Sequence, residues 1–119
     1  MAERRMRVRV WLDASASATP VPNRSPQRVW NLLGEDISLT GIRLLSPESF
    51  PVASRLRLEI DVEGELSPIQ AIGTVVWIGQ LPEANRWRIG LKFTELSDEA
   101  RLRIGKVVSG RPPSPSGVP

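Results

Sequence analysis

Neither cysteine nor histidine occurs among the chain's 119 residues. Without thiols there are no disulfides, no thiolate metal sites and no cysteine nucleophile. Without imidazole, the commonest zinc ligand and the Ser-His and Cys-His routes to an activated nucleophile are missing as well. Most hydrolase and transferase chemistry is hard to build from what remains, so the composition points to a binding module rather than an enzyme. Tyrosine is absent too, and lysine is confined to Lys92 and Lys106. Long apolar runs are also lacking: none approaches the ~20 residues that a membrane-spanning helix needs, and the basic N-terminus has no apolar signal-peptide core behind it. The expectation is a soluble, cytoplasmic protein without membrane insertion.

What is present is enough for one modest core, since 40% of the residues are apolar. Period-2 alternation dominates. Met6, Val8, Val10 and Leu12 alternate with arginines, and Leu56, Leu58, Ile60 and Val62 alternate with Arg57, Glu59 and Asp61. Further strand-like runs cover Val29–Leu33, Gly41–Leu45, Ile69–Ile78 and Trp87–Phe93, several separated by Pro, Gly or Asn. Short strands in this number predict an all-β domain over residues 1–110, a six-stranded antiparallel barrel. Asp13–Pro26, rich in Ala, Ser, Thr, Pro and Asn, reads as a mobile connection that could hide a short extended piece. Trp11, Trp30, Trp77 and Trp87 fall in apolar strands, where core packing is their expected role.

After Leu96 the period changes. Ser97 is placed to cap a helix, Asp98 and Glu99 suit its positive end, and Ala100, Ile104, Val107 and Val108 share one face. The spacing predicts a short C-terminal α-helix ended by Gly110. Residues 111–119, Pro- and Ser-rich, lack the apolar content to order themselves and read as a disordered tail.

The charge is unevenly placed. Arg4, Arg5, Arg7 and Arg9 against Glu3 give the first nine residues +3, equal to the net charge of the whole chain, so the remainder is balanced. Arginine is the cation suited to planar, bidentate capture of phosphate and of guanine O6 and N7. A second element is Asp36-Ile37-Ser38-Leu39-Thr40-Gly41, between two predicted strands. Taken alone, Asp-x-Ser-x-x-Gly is a common turn sequence, because Asp and Ser bond nearby backbone N–H groups and Gly accepts positive φ.

Preceded by the Arg5-x-x-x-Arg9 pair, the motif resembles the two-part signature of PilZ domains. The order of strands, Gly73-Thr74-Val75-Val76-Trp77, Trp87-Arg88-Ile89-Gly90-Leu91-Lys92-Phe93 and the Leu96-Ser97-Asp98-Glu99 helix start extend the resemblance to roughly residues 4–108. It implies a six-stranded Greek-key barrel with a C-terminal helix that binds cyclic di-GMP, with no other cofactor, and passes the signal to a protein effector. It also implies the site: Arg5 and Arg9 on phosphates and Hoogsteen edges, Asp36 and Ser38 as a polar floor, Gly41 shaping the turn, and Arg4 and Arg7 as auxiliary contacts. The arm carrying these arginines is expected to order on the ligand. In one respect the sequence departs from the family: Arg5-Met6-Arg7-Val8-Arg9-Val10 already alternates like a strand, without the proline often interposed, so Arg5, Arg7 and Arg9 share one face.

Other readings stand beside this one. The arginines can serve as a solvated strand face that blocks edge-to-edge pairing, and the barrel can be a ligand-independent adaptor for proteins. A nucleic-acid-binding barrel is disfavoured by the confinement of basic charge to one end and by tryptophans expected in the core. A catalytic pairing of Glu35 with Asp36 is disfavoured because neighbours on a strand point to opposite faces. Asp36 and Arg9 are expected at the surface, so that alanine at either weakens binding and leaves stability nearly unchanged.

Overall fold

The computed structural model describes residues 9–22 and 29–111. Seven strands and a helix follow in order: β1 (Val10–Trp11), β2 (Ala14–Pro20), β3 (Trp30–Ile37), β4 (Gly41–Ser46), β5 (Arg55–Val62), β6 (Ile69–Leu81), β7 (Arg86–Glu95) and α1 (Asp98–Ser109). All pairings are antiparallel, in the order β1-β3-β2-β5-β6-β7-β4, and β4 pairs back onto β3. β1 and β2 lie along the same edge of β3, opposite Asp36–Ile37 and Trp30–Leu33 respectively, so they form one interrupted stave. The result is a closed six-stranded barrel, and the β4-to-β5 connection that returns the chain beside the first stave makes it a Greek key.

Alternation fills the interior. On β5, Leu56, Leu58, Ile60 and Val62 are buried while Arg55, Arg57, Glu59 and Asp61 face solvent. Ile42, Leu44, Ile69, Ile89 and Leu91 complete the packing from the other strands, each fully buried Leu or Ile stabilising by roughly 1.5–3 kcal/mol. The helix begins where expected: Ser97 Oγ accepts the Ala100 N–H at 3.0 Å, and Ala100, Ile104 and Val107 are buried against the core, with α1 packed on β6. Arg103 Nη2 pairs with Glu65 Oε1 at 3.2 Å and fastens the helix to the β5–β6 connection.

Two expectations fail. The segment beginning at Asp13 is not a connection up to Pro26: Ala14–Pro20 is a strand paired on both sides, with β3 and β5. Ala16 and Ala18 point into the barrel, 2% and 0% exposed, while Ser15, Ser17 and Thr19 point outward. The period of 2 was present, but residues of weak β propensity carried it and disguised it as a linker. Core packing of the tryptophans holds for Trp30, which meets Phe50 edge-on at 5.2 Å and lies against the core. Trp11 and Trp77 are instead exposed on the outer face, and Trp87 is half-buried.

Candidate functional site

The outer face of the β3-β4-β7-β6 part of the barrel is shaped by two irregularities. Strict alternation from Leu32 through Gly34 would send the side chain of residue 36 inward. A bulge between Gly34 and Asp36 adds Glu35 to the strand and brings Asp36 opposite Arg43, on the outside. Alternation from Ala71 through Val75 would likewise bury residue 77. A register shift between Val75 and Trp77 places Trp77 opposite Gly90, and its indole lies where a Cβ on residue 90 would stand. Across the sheet the outer row therefore reads Asp36, Arg43, Gly90, Trp77.

Asp36 is the hub of this row. Its Oδ1 accepts from Arg9 Nε at 2.7 Å and pairs with Arg43 Nε at 3.2 Å. Arg9 Nη1 also donates to Ser38 Oγ at 3.3 Å. The Arg43 guanidinium stands 6.0 Å from the Trp77 ring centroid, in cation–π range. Ser38 organises the turn that follows: its Oγ accepts the N–H groups of Thr40 and Gly41, both at 3.3 Å, and its own N–H donates to the Gly41 carbonyl at 2.9 Å. Gly41 is required by close approach, because a Cβ there would run into the Leu91 carbonyl oxygen.

A second ion pair borders the first. Arg88 donates from Nε and Nη2 to Glu35 Oε2, at 3.1 and 2.7 Å. Among the described residues, these two adjoining groups set three guanidinium groups, of Arg9, Arg43 and Arg88, against the two carboxylates of Asp36 and Glu35.

Of the residues singled out from the sequence, Arg9, Asp36, Ser38 and Gly41 are thus brought together, whereas Arg4, Arg5 and Arg7 lie outside the described residues. Three readings need correction. Asp36 belongs to β3 and not to the connection after it, because the bulge lets the strand run past Gly34. It is also 0% exposed: it faces outward, but the side chains of Arg9 and Arg43 cover it. The stability of the Asp36→Ala protein is therefore not expected to be unchanged. Finally, Glu35 and Asp36 do not point to opposite faces, since both carboxylates meet arginines of the outer surface.

Arg43, Arg88 and Trp77 were not singled out. Arg43 was within reach of sequence reasoning, since alternation from Gly41 puts it on the same face. Trp77 was not, because the irregularity that turns it outward has no mark in the sequence.

Among the described residues, no helix is long and apolar enough to cross a membrane, and no group of acidic side chains gathers as a metal site. The family model described as the PilZ domain matches residues 3–110. No curated protein matches the sequence. Among solved structures, the fold is similar to the inhibitor of motility MotI/DgrA of Bacillus subtilis, with a TM-score of 0.65 and 21% identity over 87% of this chain and 48% of that one. It is also similar to the PilZ domain of YcgR from Escherichia coli with c-di-GMP, at a TM-score of 0.63 and 13% identity over 87% of each chain. The MrkH–c-di-GMP complex of K. pneumonia gives 0.66 and 16%, over 86% of this chain and 48% of that one. The chain thus spans about half the length of MotI/DgrA and MrkH.

Proposed function

The chain belongs to the PilZ domain family, and from that premise we propose that it is a cyclic di-GMP receptor whose ligand occupies the outer face around Asp36. One observation carries this reading: Arg9, Asp36, Ser38 and Arg43 converge on a single patch, with the Trp77 face beside them. Cyclic di-GMP presents two phosphates and two guanines. Guanidinium groups answer the phosphates and the O6/N7 edges, a carboxylate answers the guanine N–H donors, and an exposed indole offers a stacking surface. YcgR and MrkH, similar in fold, were solved with c-di-GMP bound, which supports the same ligand class here.

On this reading Arg5, with Arg4 and Arg7, adds further guanidinium groups, and closure of that arm over the ligand changes the surface offered to a protein effector. No bond is made or broken. On this reading the receptor works in the cytoplasm. For a few-fold excess of ligand over Kd the coupling is worth only about 1 kcal/mol, sufficient to bias a partner's choice.

A ligand-independent adaptor is the second reading, favoured by the pairing of Asp36 with Arg9 and Arg43, which covers its carboxylate. Isothermal titration decides between them, with GMP and single-stranded DNA as controls. Saturable micromolar or tighter binding of cyclic di-GMP alone is the expected result, and absence of heat with every ligand would leave the adaptor standing.

A further inference from the structure

We propose that the open edge of β6, residues 77–81, is the surface through which two copies of this chain associate, by antiparallel strand pairing about Gly79. The inference is independent of the ligand reading above. β6 is thirteen residues long, but β5 pairs only with its residues 69–74. The chain just ahead of β5 follows β6 one residue further: the Ala53 N–H donates to the Val75 carbonyl at 2.7 Å, and the Val75 N–H donates to the Ser54 carbonyl at 2.8 Å. From Trp77 onward the strand continues beside β7 alone, as far as the pair of Leu81 with Arg86. In an antiparallel pair, alternate residues turn their N–H and C=O away from the partner strand. Along residues 77–81 those groups meet no backbone partner among the described residues.

An exposed edge is a template for another strand, and proteins commonly guard it with charge or proline. This one, Trp77-Ile78-Gly79-Gln80-Leu81, holds no charged residue and no proline. It also matches itself. A two-fold axis through Gly79 sets Ile78 opposite Gln80 of the second copy and Trp77 opposite its Leu81, with glycine against glycine at the centre. No like charges oppose each other across such a seam, and Trp77 with Leu81 makes an apolar cross-strand pair on each side of the axis. Apolar surface is there to be covered, since Val76 and Trp77 are 48% and 38% exposed. Because Trp77 lies on the outer side, the pairing carries the face of Asp36 and Arg43 from one copy into the next. A seam of five residues is short, so the dimer is weak and forms only as concentration rises.

The test is sedimentation equilibrium of the full chain, from micromolar to near-millimolar concentration, for the wild type and the Gly79→Lys and Gly79→Glu variants, with a thermal melt of each. A Cβ on residue 79 would meet nothing within 4 Å, so both variants are expected to melt close to the wild type. Each, however, sets like charges against each other on the axis. The wild type is expected to self-associate, either variant alone to do so about fivefold or more weakly, and an equal mixture of the two to recover the association. A wild type that stays monomeric throughout would overturn the proposal and leave the edge to a strand of another protein. Variants that dimerise as the wild type does would overturn it as well, as would a mixture that fails to associate.

Discussion

Trp77 lies on Gly90: the indole fills the space that a side chain at residue 90 would occupy. The contact is made across two paired strands and sets the ring beside the Arg43 guanidinium. Gly90→Ala is expected to lift the indole, weaken cyclic di-GMP binding and cost about 1–3 kcal/mol of stability, the usual range for forcing a methyl into filled space. Titration together with urea unfolding checks both effects.

Trp77→Ala separates the ring from the backbone. Because the indole is exposed on the outer face and not part of the core cluster, its removal is expected to change stability by no more than about 1 kcal/mol. Any change of intrinsic fluorescence on adding cyclic di-GMP should largely vanish with it. A ligand-dependent signal that persists at full amplitude would locate the base elsewhere.

Asp36→Ala removes the carboxylate that two arginines share. Arg9 and Arg43 keep some contact with water, at 17% and 19% side-chain exposure, which moderates the cost of leaving them next to each other. A loss of about 1–3 kcal/mol is expected from urea unfolding, together with loss of binding. Arg9→Ala, which leaves Asp36 paired with Arg43, is expected to cost less stability than Asp36→Ala.

Ala18→Leu tests the first stave. Ala18 is fully buried on β2, between β3 and β5, and the larger side chain is expected to overpack the barrel by about 1–3 kcal/mol. If β2 were only a covering segment, a bulkier apolar residue there would leave the unfolding midpoint where it was.

Where strongly apolar residues carry the period, as on β5, the strand, its inward face and its partners are legible directly from the sequence. The helix is equally legible, because Ser97 and the spacing of Ala100, Ile104 and Val107 express local physics. β2 was hidden because Ala and Ser alternate without hydrophobic contrast, and small size becomes meaningful only once neighbouring strands crowd it. At the site, the turn chemistry of Ser38 and Gly41 is written locally, whereas the burial of Asp36 depends on arginines 27 positions before it and 7 after it. Nor does alternation foretell where it will be broken, so the outward turns of Asp36 and Trp77 could be found only in the assembled sheet.

Those two interruptions make the face behave like a message read in frame. Glu35 and Val76 are the extra residues, so deleting either leaves Asp36 opposite Arg43 or Trp77 opposite Gly90, whereas deleting a residue of the regular stretch before either bulge would turn the hub carboxylate or the indole toward the barrel interior. A length change in the regular stretch shifts every downstream position on the strand up to the next turn, whereas most point substitutions on the same face erase one contact. A single-residue deletion is therefore tolerated by the frame at these two addresses and harsh on the regular stretches around them.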